Sequence, residues 1–345
     1  MTQPLSELTT IGVGGAPASI LVGSTRDGLI DAAIEAWHDS DNWVVLGGGS
    51  NIVAADDLSG VTVIKTENKG IEREGNLVRV QAGENWDDFV SWTVEQGLTG
   101  VEALSGIPGC VGAAPVQNIG AYGQEVADTI TRLEFLDFLT HEVVELTAAE
   151  LGFGYRDSIF KSLGRLGVIT WVEFELQPYD ASQLNPDAPS PASFLPRLTE
   201  ALGREVSSPA EVRAAVLATR AQKGMVLDAA DRDTWSCGSF FTNPIVSDGF
   251  SRSIPGEAPR WLQPDGTVKL SAAWLIENSG LSKGFRLGHS NAGLSTKHAL
   301  AITNRGGATA KEVFELSKFI QLQVANRWGV ELAAEPNFVG DFYRG

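Results

Sequence analysis

A chain of 345 residues exceeds the size at which a single hydrophobic core stops growing, so two or three domains are expected. Its net charge of −17 argues against a nucleic-acid phosphate track or an anionic membrane as the main partner, but leaves room for a small anion held by a local Arg/Lys cluster. Two cysteines (Cys110, Cys237) make no disulfide framework, and the histidines His38, His141, His289 and His298 lack ligand spacing, so no metal site is expected.

The opening Met1-Thr-Gln-Pro-Leu-Ser-Glu has neither a basic n-region nor an apolar h-region. No run approaches the ~18 apolar residues of a membrane span, and a cytoplasmic protein is expected.

In chain order, Leu29, Ile30, Ala33, Ile34 and Trp37 form a helical stripe over Asp27–Trp37. Trp43-Val-Val-Leu reads as a short strand running into Gly47-Gly-Gly-Ser-Asn51. A strand followed by a glycine-rich turn presents bare N–H groups to a pyrophosphate, and it also suits a tight strand-to-strand turn. Gly-x-Gly-x-x-Gly is absent, since Ile52 occupies the sixth position, and this disfavours a Rossmann turn. Strands are expected at Val61–Lys65 and Leu77–Ala82. A helix follows over Asn85–Gln96, with Phe89 and Trp92 facing inward and Gly97 closing it.

Residues 104–123 carry no charge, and they interleave Gly106, Gly109, Gly112 and Gly120 with Pro108 and Pro115. Such a segment is too broken for a helix and too apolar for an ordinary solvated loop. It fits a rigid chain laid against a large flat ligand with backbone N–H groups free to donate, and equally a buried connection between strands. Strands at Arg132–Phe138 and Val168–Leu176 complete an α+β unit over about residues 15–178.

Phe153-Gly-Tyr-Arg-Asp-Ser-Ile-Phe-Lys161 has neither helical nor strand periodicity. Arg156 and Asp157 suit a surface pair, while Tyr155-Arg156 suits a carboxylate or phosphate gripped bidentately. Six prolines from Pro178 to Pro209, both included, mark a boundary or loop. Ser208-Pro-Ala-Glu211 then starts a helix to about Lys223.

Ser239, between Gly238 and two phenylalanines, lacks a Gly-x-Ser-x-Gly elbow, and a hydroxyl satisfying a backbone group is the favoured local reading. A helix is expected over Ser271–Ser279, a strand over Ala299–Thr303, and a long helix from the capping box Thr309-Ala-Lys-Glu312 to Gly329. The tail Val330–Gly340 reads as a strand-like segment whose carboxylates sit on exposed positions.

Taken together, Thr10-Ile-Gly-Val-Gly-Gly, Leu46–Asn51, Ile107–Gly112 with Gln117–Gly123, Phe153–Lys161, Gly238–Pro244 and the Glu335 segment resemble one family, in its order and over nearly the whole chain: UDP-N-acetylenolpyruvoylglucosamine reductase (UDP-N-acetylmuramate dehydrogenase), in its longer, type I class. The resemblance implies an α+β fold of the vanillyl-alcohol-oxidase type. It implies FAD subdomains over 1–66 (joined by about 330–345) and 67–205, with a substrate-binding domain over 206–329.

FAD is implied to be held non-covalently by Gly47, Gly48, Gly49, Ser50, Asn51 and Ile52. From the second stretch come Ile107, Pro108, Gly109, Gly112, Ala113 and Ala114, then Val116, Asn118, Ile119, Gly120 and Ala121. Ile169 is also implied to lie at the flavin. No histidine stands in either flavin stretch, as a histidyl-flavin oxidase on the same fold often requires.

The implied reaction passes hydride from NADPH to FAD, then to C3 of the enolpyruvyl ether of UDP-N-acetylglucosamine, in peptidoglycan precursor synthesis. By motif, Ser239 gives the proton to C2, while Arg156 and Glu335 stabilise the enolate; a glutamate helps there only when protonated and donating. Tyr155, Lys223, Asn243, Lys283 and His298 match positions near the UDP-sugar, and the chain is expected to act as a monomer. Two departures stand out. Ala333-Ala334 replace the glutamate-proline common before the catalytic glutamate, and Leu195 occupies the place of a lid tyrosine. A silent nucleotide-sugar binding module is the alternative from another class; retention of Arg156, Ser239 and a C-terminal glutamate argues against it.

Overall fold

The computed structural model describes residues 2–179, 203, 206 and 208–342. The Leu195 position lies outside them. The chain divides into two compact units: a central unit of Ala18–Gly48 and Gly60–Gln222, and a terminal unit of Met1–Pro17, Gly49–Ser59 and Lys223–Gly345.

In the central unit, helix α1 (Arg26–Asp39) is started by Thr25, whose side chain accepts from the Gly28 N–H. This supplies one of the partners a helix start lacks. Leu29, Ala33 and Ala36 are fully buried on one face and pack with Trp37, Ile64 and Val168. The strand Trp43–Leu46 pairs in parallel with Leu58–Thr66, so the chain leaving Leu46 must turn away from its partner's end rather than hairpin back. That turn is Gly47–Asn51.

A five-stranded sheet forms the second layer. Its order is Val143–Thr147, Ile130–Asp137, Gly167–Glu175, Leu77–Gln81, Ile71–Glu74, with each neighbouring pair antiparallel. Helix α2 (Trp86–Glu95), capped by Asn85, lays Trp86, Phe89 and Val90 on this sheet against Phe174 and Val172. Each such side chain contributes about 1.5–3 kcal/mol on full burial. Trp92 is only partly buried and stacks on Phe89. A short helix α3 (Ile159–Ser162) follows, and α4 (Pro209–Gln222) packs Val212, Ala215 and Val216 around Ala103.

The terminal unit contains α5 (Asp248–Ser251), α6 (Ala272–Glu277) and the 19-residue α7 (Ala310–Trp328). Both halves of the Thr309/Glu312 capping box form, and Gly329 closes α7 in the left-handed region at φ 68°. Val313, Leu316, Ile320 and Val324 of α7 pack with Phe240, Phe241, Leu275 and Ile302 in one core.

Two local expectations change. Residues 111–117 form a seven-residue 3-10 helix rather than an unbroken irregular chain, because small residues tolerate the tight turn and Pro115 needs no donor of its own. The strand expected from Ala299 begins at Ile302, pairing with Ala292–Leu294. Residues 298–301 are instead held in a turn by Ala301 N–H to His298 C=O at 3.1 Å.

Candidate active site

In the central unit the two glycine-rich stretches meet backbone to backbone. A Cβ added at Gly48 would stand 2.6 Å from Gly109 Cα, and one at Gly112 would stand 2.5 Å from the Ala82 Cβ. Gly47 lies against the Cys110 sulfur, so a side chain there would collide with it. Burial pushes the Cys110 thiol pKa up, against the opposing N–H groups of Ala113, Gly48 and Gly112, which keeps it a neutral packing group.

The second stretch is tied down at Val111 N–H to Glu84 C=O (2.9 Å) and Gly112 N–H to Ala82 C=O (2.8 Å). Ile107, Pro108, Val116, Ile119, Gly120 and Ala121 remain half-buried, while Ala113 and Gly48 are exposed and Ala114 is buried. Ile169, 7% exposed, packs in the core that Ile107, Val116 and Ile119 border.

Arg156 is a non-glycine residue in the left-handed region, at φ 54°, as is Asn118 at φ 46°. Such conformations cost on the order of 1–3 kcal/mol and persist where surrounding structure fixes them. Here the Arg156 guanidinium donates to the Gly120 and Asn118 carbonyls, and its own carbonyl accepts from Lys161 Nζ at 3.1 Å. The Asn118 side-chain amide donates to Glu125 Oε2 (2.9 Å) and to the Gly154 carbonyl (3.0 Å). Ser158 Oγ, fully buried, donates to the Val116 carbonyl at 2.6 Å. Tyr155 lies with its ring centroid 5.5 Å from the Arg156 guanidinium carbon. The 116–120 and 154–158 loops are therefore one network.

The terminal unit brings Ser239, Glu335 and Asn51 together. Residues 240–242 and 333–335 run antiparallel: Glu335 N–H donates to Phe240 C=O at 2.9 Å and Thr242 N–H to Ala333 C=O at 3.0 Å. The Asn51 side-chain amide donates to the Glu335 carbonyl at 3.2 Å, and Ile52 begins a strand parallel to Asn337–Val339. Ser50, Ser239 and Glu335 are half-buried, and Gly49 is buried at φ 61°, facing Leu8. Cys237 donates its S–H to the Ile52 carbonyl at 3.6 Å; burial, with a further push from Glu335, raises its pKa to about 12.

Asn243 Oδ1 accepts the Ala272 N–H at 2.9 Å, giving the first turn of α6 a partner. His298 is driven down to a pKa of about 4 by burial and by the charges of Lys223 and Lys283, which therefore stand near it. Both lysines are exposed. The imidazole is neutral near pH 7, beside two ammonium groups.

These features fit a flavin. Bare backbone in two abutting glycine turns is what a pyrophosphate needs, and the apolar Ile107, Val116 and Ile169 suit an isoalloxazine edge. The sequence did not point to Ser158, Lys161 or the Asn118 side chain as the frame of Arg156; the signal available was the aperiodic run Phe153–Lys161 itself.

The comparisons with known proteins agree. Residues 17–147 match the model of an FAD-binding domain, and residues 229–339 match that of the UDP-N-acetylenolpyruvoylglucosamine reductase C-terminal domain. The α+β chain is thus an FAD-containing oxidoreductase. It is 48% identical to UDP-N-acetylenolpyruvoylglucosamine reductase of Leifsonia xyli subsp. xyli, over 99% of each chain. It is 45% identical to that of Mycobacterium tuberculosis, over 98% of this chain and 94% of that one. The crystal structure of the Thermus caldophilus enzyme superposes with a TM-score of 0.66 at 26% identity, covering 98% of both chains. The chain belongs to the UDP-N-acetylenolpyruvoylglucosamine reductase family.

Proposed function

We propose that the chain reduces the enolpyruvyl ether of UDP-N-acetylglucosamine to UDP-N-acetylmuramate in peptidoglycan precursor synthesis, with NADPH as electron donor. The observation that carries this reading is the pairing of Glu335 with Phe240, which registers the Glu335 backbone against the residue that follows Ser239 and against the Asn51 amide. When bound, FAD would supply the hydride-transfer chemistry that links NADPH to C3 of the enolpyruvyl group.

The chain's residues handle the charge and the proton. The double bond is conjugated to a carboxylate, so hydride addition at C3 places negative charge on C2 and that carboxylate. Arg156, aimed by its αL backbone, binds the carboxylate through its planar fork. Glu335, protonated, donates to the same developing charge. Ser239 delivers its proton to C2, and Lys223 supplies the nearby positive charge that a serine needs to act as an acid. Lys223, Lys283 and neutral His298 face the UDP diphosphate and sugar, along with Tyr155 and the Asn243 amide nitrogen.

The flavin is held by the turns Gly47–Ile52 and 107–121 with Ile169. Functionally the chain divides into FAD subdomains at 1–66 (with 330–345) and 67–205 and a substrate domain at 206–329. It works as a cytoplasmic monomer; light scattering checks the monomer, and fractionation of the source cells checks the compartment.

The test is a visible spectrum of purified protein, followed by anaerobic NADPH and then the UDP-enolpyruvyl sugar. Flavin bands that bleach and then return establish both half-reactions. Bands that bleach with NADPH and stay bleached with the sugar would reject this substrate.

A further inference from the structure

The backbone of Leu104–Val111 is stitched to the start of α2. The Leu104 carbonyl accepts from the Trp86 indole N–H and the Gly109 carbonyl from the Trp86 backbone N–H, both at 3.1 Å. Between these ties Gly106, at φ 72°, turns the chain out into Ile107-Pro108-Gly109. Its N–H donates to Asp87 Oδ1 at 2.6 Å.

The same carboxylate is gripped from α4. Arg213 Nη1 donates to Asp87 Oδ1 at 2.6 Å and Nη2 to Oδ2 at 2.9 Å, a two-pronged fork between planar groups. The pair is shielded, with the Arg213 side chain 17% exposed and that of Asp87 31%. Burial opposes ionisation of Asp87, but Arg213 and the Gly106 N–H outweigh it and hold the carboxyl below the usual range. Asn85 already caps α2, so Asp87 is not needed to start that helix. One carboxylate thus joins two segments: the turn entering 107–109, and a helix whose last residue, Gln222, directly precedes Lys223.

We propose that Asp87 and Arg213 are positioning residues that tie the Ile107–Gly109 wall of the flavin site to the helix leading into the substrate lysine. The inference rests on the functional reading above, which assigns 107–109 to FAD and Lys223 to the UDP-sugar. Asp87→Asn and Arg213→Met each break the fork while leaving an acceptor for Gly106; Asp87→Ala removes both ties.

The experiment measures FAD dissociation, the flavin absorption spectrum, and KM and kcat for the UDP-enolpyruvyl sugar, in the full-length holoenzyme and each variant. Asp87→Asn and Arg213→Met are expected to raise the sugar KM about fivefold, the equivalent of ~1 kcal/mol, with FAD affinity within about twofold of wild type. Arg213→Lys recovers part of that loss. Asp87→Ala additionally weakens FAD about tenfold and shifts the flavin bands. Wild-type FAD affinity and spectrum in Asp87→Ala, or an unchanged sugar KM in Arg213→Met, overturn the inference while the functional reading stands. A wild-type protein that takes up no FAD brings down both.

Discussion

The backbone N–H of Glu335 donates to the Phe240 carbonyl at 2.9 Å, so a residue near the end of the chain is registered against the neighbour of Ser239. The Ala333-Ala334 departure does not disturb that register, because the Thr242 to Ala333 and Glu335 to Phe240 bonds are backbone bonds indifferent to side chain. Ser239→Ala and Glu335→Ala should therefore leave NADPH-driven flavin reduction intact. Each should slow flavin reoxidation by the enolpyruvyl sugar about 10²–10⁴-fold, read by anaerobic stopped-flow. Equal loss in both half-reactions would make either residue structural.

Arg156→Lys tests the fork geometry. An ammonium is a point charge and reproduces neither bidentate carboxylate binding nor the double tie to the Asn118 and Gly120 carbonyls. Reoxidation should slow by at least about tenfold, the equivalent of ~1.4 kcal/mol, while the NADPH half-reaction is unchanged. Unchanged turnover with the sugar would remove Arg156 from the site.

Ser158→Ala removes the 2.6 Å bond to the Val116 carbonyl and the cap of α3 together. A loss of about 1–3 kcal/mol is expected, because the half-buried Val116 carbonyl and the Phe160 N–H each lose their partner. Urea unfolding measures it, and kcat should fall with it as Arg156 loses its frame. A variant with wild-type stability would show that water or a rearranged loop replaces the hydroxyl.

Gly48→Ala forces a methyl against the Gly109 backbone at 2.6 Å, where no flexible side chain can move aside. The two turns must separate, at a cost of about 1–3 kcal/mol. The purified variant should carry much less flavin per chain than wild type. Gly60→Ala, where nothing stands within 4 Å and no positive φ is required, is the control.

His298 supplies a pH dependence whose sign is fixed by its depressed pKa. Folding lowers it from 6.5 to about 4. Between those values the unfolded chain binds the proton and the folded chain does not, so the contribution is fully present above about pH 6.5 and is lost as pH falls toward 4. Its size is on the order of 3 kcal/mol. His298→Gln should flatten the dependence of the urea midpoint on pH between 7 and 4.5. A slope equal to that of wild type would show that the imidazole protonates freely in the folded state.

Much of the local structure was legible because it is written in short-range chemistry. Thr309 and Glu312 cap α7 and Gly329 ends it, Asn85 caps α2, and Leu29, Ala33 and Trp37 of the α1 stripe are buried as their spacing requires, whereas Ile34 is 39% exposed and Ala36 is buried instead. The 3-10 turn at 111–117 was hidden, since its small residues and Pro115 accept several backbone forms equally. The strand at Ile302 was misplaced by three residues because the His298–Ala301 turn depends on a partner strand, Ala292–Leu294, not on the residues themselves.

The sequence alone determined where backbone had to be bare: Gly47, Gly48 and Gly112 stand where no Cβ fits and Gly109 holds φ 125°, and the order of those glycine turns with the Arg156, Ser239 and Glu335 segments identified the family. Only the tertiary structure decided which groups meet. The bonds from the Arg156 guanidinium to the Asn118 and Gly120 carbonyls, the pairing of Glu335 with Phe240 and the fork between Asp87 and Arg213 each join residues far apart in the chain. The energies that fix such contacts come from burial and from hydrogen bonds completed across that distance, and no local pattern records them.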